Sequence, residues 1–329
     1  MALQQMPRLS ILNNGPKPVH SHPPDTMHTS RSAVIHPTLW IPMNTSSHAR
    51  HSTEPGSRAV VLGAGAVVGT AWTLGLAAGL RRHGIDLADV DLIVGTSAGA
   101  IVGTILTTGQ NLEAIATRQT NVKWETTPTS TTRRLDEVFT ILADTSLDAL
   151  DARRRIGQLA VFDGLEPEDS HLARIESLIT PCDWSHHNLL ITAVDADTGD
   201  LTAWNRTSGV PLLQAVAAST AMPGVYPPIT INGHRYVDAG IRSATNADLA
   251  AGASQLIVVD PVAHLFPRDH LTNELATVHP DTVIDITPDH AAMDAYGHDP
   301  LDQRAWPSCY GAGLRQSSDA ADKIRDTWG

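Results

Sequence analysis

The run from Arg58 to Gly103 constrains this chain most, because short apolar strands and small-residue helices alternate along it. RAVVL is β-branched and apolar and ends in the glycine-rich stretch GAG. The helical GTAWTLGLAAGLRRHG follows and stops at Gly84. DLIVG is a second buried strand, and SAGAIVGTILTTG is a second helix. Strands joined through helices run parallel, and strands covered on both faces read as continuous apolar runs. The expectation is an α/β fold with a mostly parallel central sheet flanked by helices.

The rest of the chain extends that pattern. Residues 111–180 are more polar and mostly helical, with RRLDEVFTILADTSLDAL and EPEDSHLARIESLI as the clearest pieces. Pro167 with acids behind it reads as a helix start. Strands return at NLLITAVDA, LTAWN, RYVDAG, QLIVVDP and TVIDITP, and ATNADLAAGA reads as helical. Residues 1–57 are rich in Pro, Ser, Thr, His and Asn without apolar periodicity, so burial cannot offset their ordering entropy. They are expected to form a disordered or weakly ordered extension, with one domain over 58–329. Residues 59–80 carry no charge over a membrane-spanning length. Their β-branched, glycine-punctuated first third suits a strand and a turn better than a span.

Composition narrows the function classes. A chain of 329 residues with 42% apolar content can bury a sizeable core. Its net charge of −12 argues against nucleic acid as a partner. Lys17, Lys123 and Lys323 are the only lysines, so no polybasic lipid anchor is present. Two isolated cysteines, Cys182 and Cys309, make neither a disulfide framework nor a zinc site. Adjacent His186 and His187 would point to opposite faces of a strand, which disfavours a shared ion. No metal and no cofactor are expected. The N-terminus lacks an apolar core of signal-peptide length. A cytoplasmic protein follows, with room for peripheral membrane contact; oligomeric state is not legible.

Three elements carry chemistry. Gly95-Thr96-Ser97-Ala98-Gly99 has the G-x-S-x-G pattern of a nucleophile elbow, and it lies between a strand and a helix as that device requires. Gly95 and Gly99 let the backbones approach, and the helix N-terminus behind Ser97 favours developing negative charge. The second element runs from Gly63 to Gly69. It reads as an oxyanion hole built from backbone N–H groups, or as the opening of a dinucleotide site with Asp86 or Asp89 on the ribose. The loop alone does not choose between them. The third is YVDAG, in which Asp238 ends a strand before a tight turn, as a turn residue commonly does.

The order of the three elements resembles the patatin-like phospholipase family. The resemblance runs from about Arg58 to Pro261 and includes AVAASTAMPGVYPPITINGHRYVDAG and SATNADLAAGA. It implies a three-layer α/β/α fold and a lipid acyl hydrolase of phospholipase or esterase type, acting on a lipid or ester through an acyl-enzyme. It further implies a Ser-Asp dyad, with Ser97 as nucleophile and Asp238 as base. The loop Gly63, Gly65, Ala66 and Val67 would hold the oxyanion, chiefly through the N–H groups of Gly65 and Ala66. Two departures stand out. Val67 and Val68 occupy positions where many members carry Arg or Lys. The aspartate motif is D-A-G, which strains Ala239 if that position needs positive φ.

Rival readings exist. A Ser-His-Asp hydrolase would draw its base from His264, His270, His279, His290 or His298. A non-enzymatic nucleotide-binding protein would use the Gly63–Gly69 loop alone. PGVYPP offers Val225 and Tyr226 as exposed apolar residues, either bordering an acyl pocket or merely stiffening a connection.

Overall fold

The computed structural model describes residues 56–120, 129–162 and 164–328. All of these belong to one compact unit, residues 50–329. The extension expected over residues 1–57 lies outside the described residues, apart from Gly56 and Ser57.

β1 (Arg58–Leu62) leads into α1 (Ala66–Arg82), then β2 (Leu92–Gly95) and α2 (Ala98–Thr107). A helical stretch follows: α3 (Leu112–Thr120), α4 (Thr129–Ala143), α5 (Ala149–Leu159) and α6 (Glu168–Ile179). Then come β3 (Leu189–Asp195), β4 (Leu201–Trp204), α7 (Leu212–Ser219), β5 (Ile229–Ile231) and β6 (His234–Asp238). The chain ends with β7 (Gln255–Val259), α8 (Asp269–Val278), β8 (Thr282–Ile286), α9 (His290–Tyr296) and α10 (Trp306–Trp328).

The sheet has the order β5-β6-β3-β2-β1-β7-β8, with β4 also paired to β3. β3, β2, β1, β7 and β8 are parallel neighbours. β4 and β6 join β3 antiparallel, and β5 joins β6 the same way. Alternate residues of each strand feed opposite faces. Val60, Leu62, Ile93 and Ile191 pack under α1, α2, α7 and α10. Ala59, Val61, Leu92 and Val94 pack against α8 on the other face, where α4 and α5 cover Val194 and Val237. The result is three layers, α/β/α.

The uncharged stretch 59–80 is therefore β1, a turn and most of α1. Its helix is buried along most of its length. The glycines there serve helix packing. A Cβ on Gly75 would sit 2.1 Å from the Tyr310 carbonyl oxygen, and one on Gly313 2.0 Å from that of Trp72. α1 and α10 thus touch backbone to backbone. No helix among the described residues is long and apolar enough to cross a membrane.

Three local expectations change. α1 begins at Ala66 rather than Gly69, because the Pro300 carbonyl accepts from the N–H groups of Val67 and Val68 at 3.1 and 3.2 Å and holds the first turn. ATNADLAAGA forms only a short 3-10 turn, Ala247–Ala250, preceded by Asn246 in the left-handed region at φ 51°. His186 and His187 lie in a bend before β3, not on a strand, and their rings stack at 4.5 Å. Among the described residues, no group of three or more His, Cys, Asp or Glu side chains could hold a metal ion. Cys182 and Cys309 are both free thiols.

Candidate active site

The site forms where two strand-to-helix corners meet. At the end of β2 the chain turns through Ser97, whose backbone adopts φ 54° and ψ −114°. Side-chain residues rarely occupy that region, and such strain persists only where the surroundings fix it. Three contacts do so here. The Ser97 N–H donates to the Ser219 hydroxyl at 2.9 Å. The Thr96 N–H donates to the Leu62 carbonyl at 3.0 Å, and the Gly99 N–H to the Gly63 carbonyl at 3.1 Å. The last two clamp the elbow to the glycine-rich corner after β1, and the first ties it to α7. The clamp leaves no room at Gly99, where a Cβ would lie 1.8 Å from the Leu62 carbonyl oxygen.

Asp238 arrives from the other side of β3. It pairs with Ala193, and its own N–H donates to the Ala221 carbonyl at 3.0 Å. One carboxylate oxygen accepts the Gly240 N–H at 2.7 Å. The Ser97 hydroxyl is near enough to the carboxyl to favour its ionised form. Burial raises the Asp238 carboxyl to about 6, while the nearby Ser97 hydroxyl and the Gly240 N–H pull it down. Asp238 is 4% exposed and Ser97 6%. Ala239 sits in a 3-10 turn and is not among the positive-φ residues, so the D-A-G variant carries no strain.

The Gly63–Gly69 loop is narrower as a donor set than its sequence suggests. The Gly63 N–H donates to the Val259 carbonyl at 2.9 Å, and the Val67 N–H is taken by Pro300. Neither is free to receive an anion. Among the described residues, the N–H groups of Gly65, Ala66 and Ala98 have no such acceptor. Ala98 opens α2, where the first N–H groups lack intrahelical partners. Gly65, Ala66 and Ala98 line the same cavity as Ser97 and Asp238.

That cavity holds about 160 Å³ and is walled mainly by apolar side chains, among them Ile101, Leu135, Ile175, Leu178 and Met222. Val225 and Tyr226 line it half-buried, not as exposed residues. His171, which no motif singles out, is buried there. Its Nε2 lies 3.1 Å from both the Ala217 carbonyl and the Thr220 hydroxyl, and its ring stacks on Tyr226 at 4.5 Å. Burial, with the nearby Arg174, lowers it to about 4, so it is neutral at pH 7. Arg174 is engaged by Glu166 through two bonds of 2.8 and 3.0 Å.

Within this geometry, the sequence of residues 60–251, more than half the chain, matches the family model for patatin-like phospholipase. The chain belongs to the patatin-like phospholipase family. No curated protein matches it. Among solved structures, it is similar to VipD from Legionella pneumophila at 12% identity and TM-score 0.41, covering 82% of this chain and 67% of that one. It is also similar to the type III effector ExoU at 15% identity and TM-score 0.35, covering 82% of this chain and 54% of that one. A complex of ExoU with SpcU from Pseudomonas aeruginosa matches at 17% identity and TM-score 0.30, over 81% of this chain and 52% of that one. The chain thus spans about half the length of ExoU.

The rival sites find little support in this patatin-like framework. None of His264, His270, His279, His290 and His298 lines the cavity. Asp86 pairs with Arg81 at 3.0 Å, beyond the far end of α1. The 17 residues of that helix put it about 25 Å from the glycine-rich loop, too far to hold a ribose on a nucleotide bound there. Ser219 is a contributor that no motif announces, and the sequence reading leaves out the N–H of Ala98 as an oxyanion donor. A helix N-terminus directly after a G-x-S-x-G serine could have pointed to Ala98.

Proposed function

We propose that the chain is a lipid acyl hydrolase that cleaves carboxylic esters through a Ser97–Asp238 dyad. The observation that carries this reading is the Ser97 hydroxyl, held on a strained backbone beside a buried carboxyl at the wall of an apolar cavity. Ser97 Oγ attacks the ester carbonyl carbon, and its proton passes to the Asp238 carboxylate. The N–H groups of Gly65, Ala66 and Ala98 receive the oxyanion. Collapse of the intermediate breaks the carbon–oxygen bond, and the departing alcohol takes the proton from Asp238. Water then attacks the acyl-serine and gives a proton to Asp238; collapse breaks the acyl–Oγ bond, Asp238 returns the proton to Ser97 Oγ, and the free acid leaves.

A lipid substrate fits the apolar lining. Phe139 and Leu265 are exposed large hydrophobic residues that also line the cavity, and such a rim suits contact with a lipid surface. A dyad fits the absence of any histidine contact to Asp238 among the described residues. The test is covalent labelling. An organophosphorus probe should add one adduct at Ser97, and Ser97→Ala should lose both labelling and ester hydrolysis. Labelling that persists in Ser97→Ala would overturn the assignment.

A further inference from the structure

We propose that His171 is a positioning residue: through the end of α7 it fixes the backbones of both Ser97 and Asp238. Its bearing on turnover rests on the acyl-hydrolase reading above.

α7 ends at Ser219, and Thr220 and Ala221 follow it. The Ser219 hydroxyl accepts the Ser97 N–H at 2.9 Å. Two residues on, the Ala221 carbonyl accepts the Asp238 N–H at 3.0 Å. Nucleophile and base, far apart in the chain, thus hang from one short stretch of backbone. A shift of that stretch would displace both, and reaction rates fall steeply when reacting groups are misplaced. The last turn of a helix is also its loosest, because its carbonyls lack the regular partner four residues on.

The brace comes from α6. His171 Nε2 lies 3.1 Å from the Ala217 carbonyl oxygen and 3.1 Å from the Thr220 hydroxyl. A carbonyl only accepts, so Nε2 carries the ring hydrogen. The Thr220 hydroxyl in turn lies 2.9 and 3.1 Å from the carbonyls of Val216 and Ala217, which ties its bond to the same turn. At the other side of the ring, Arg174 Nη1 lies 3.3 Å from Nδ1. A guanidinium only donates, so Nδ1 keeps its lone pair. Glu166 fixes Arg174 by bonds of 2.8 and 3.0 Å, and Tyr226 stacks on the imidazole at 4.5 Å. Glu166, Arg174 and His171 form a row that sets one tautomer and aims its single N–H at α7. With Nδ1 facing a guanidinium and Nε2 facing a carbonyl, the ring is engaged on both sides and is not placed to take a proton from Ser97. Packing alone would be served by leucine, without the cost of burying an imidazole.

The test uses the full chain, p-nitrophenyl butyrate as a soluble ester, and two variants of equal polarity. His171→Gln can place an amide N–H where Nε2 stands, and the shorter His171→Asn cannot. His171→Asn should lose at least about tenfold in kcat with KM little changed, and His171→Gln should recover most of that loss. The same split should appear in the rate at which an organophosphorus probe modifies Ser97. Amide hydrogen exchange reads the placement without turnover. In His171→Asn the N–H groups of Ser97 and Asp238 should exchange at least about tenfold faster, beyond any change at Ile257 and Val258 of β7. In a Ser219→Ala background, His171→Asn should cost less in kcat than it does alone, since both act on Ser97 through one turn. If His171→Asn does not fold, Thr220→Val takes its place and should show the same selective loosening. Exchange that rises equally in β7 and at the two amides, or a Gln variant no better than the Asn variant, would leave His171 as packing and overturn the proposal. If esters are still cleaved in a Ser97-dependent way, the hydrolase reading survives that failure. If no ester is cleaved yet the two amides loosen selectively, the hydrolase reading fails and the brace on both backbones stands.

Discussion

Ser97 and Asp238 meet across β3 because of strand register. Gly95 pairs with Ile191, and Asp238 pairs with Ala193. Ser97 lies two residues past Gly95, so it comes level with Ala193 and hence with Asp238. One strand of separation on each side leaves about 10 Å between the backbones, a gap that two facing side chains can close.

That placement makes Asp238 the group that sets the pH response. Only its ionised form can accept the Ser97 proton, and the carboxyl titrates at about 6. We expect kcat/KM for a neutral short-chain ester to rise through pH 6 and then level off. Asp238→Asn should fold, by circular dichroism, yet lose at least about a hundredfold in activity. A profile flat between pH 4 and 8 would remove Asp238 from the role of base.

The same carboxyl should weaken the fold at neutral pH. Its folded-state value of about 6 lies above the ordinary value of 3.8, so the native state binds the proton more tightly than the unfolded chain. Stability is therefore lost as pH rises from about 4 to 6, by up to about 3 kcal/mol. Asp238→Asn carries no such penalty. Its Tm should exceed that of the natural protein at pH 8, with the gap closing below pH 4. A gap that widens on acidification would contradict this.

Ser219 holds the elbow by accepting the Ser97 N–H at 2.9 Å, and it is completely buried. Ser219→Ala removes the acceptor and leaves a buried N–H bare. We expect a stability loss of about 1–3 kcal/mol. We also expect a drop in kcat of roughly tenfold with KM little changed, because the nucleophile loses its aim. Burst kinetics with a chromogenic ester would locate the loss in acylation. An unaltered acylation rate would reduce Ser219 to a packing role.

Gly99 tolerates no side chain, since its Cβ would overlap the Leu62 carbonyl oxygen at 1.8 Å. Gly99→Ala should cost about 3 kcal/mol or more, as core overpacking against backbone does. Urea unfolding measures it directly. Gly84→Ala, in open space but at φ 80°, should cost less and serves as the comparison.

The parallel core was legible in the sequence because buried strands and their helices leave local marks. The RAVVL and DLIVG runs, each closed by glycine, announce both corners of the candidate site. Ser97 and Asp238 stand out through motifs only a few residues long. What joins them is not local. Ser219 lies 122 positions from the N–H it accepts. Gln119 sits at a core position of α3, and only the three-dimensional structure shows that its amide has no partner among the described residues. His171 hides inside an ordinary amphipathic helix. Antiparallel β4 and β6 leave no strand-direction signal, since an apolar run reads the same both ways. The occupied N–H groups of Gly63 and Val67 depend on Val259 and Pro300, far along the chain.

The backbone contact between α1 and α10 bears on the order in which the molecule can be made. α1 leaves the ribosome well before α10, and its glycine face has nothing to lie against until residues 306–328 emerge. The family match ends at residue 251, yet the sheet still needs β7 beside β1, and α1 still needs α10. A nascent chain halted at that boundary would expose both the β1 edge and an apolar helix. That stretch must therefore be sheltered during synthesis or wait unfolded, and α1 can settle only once α10 has closed over it.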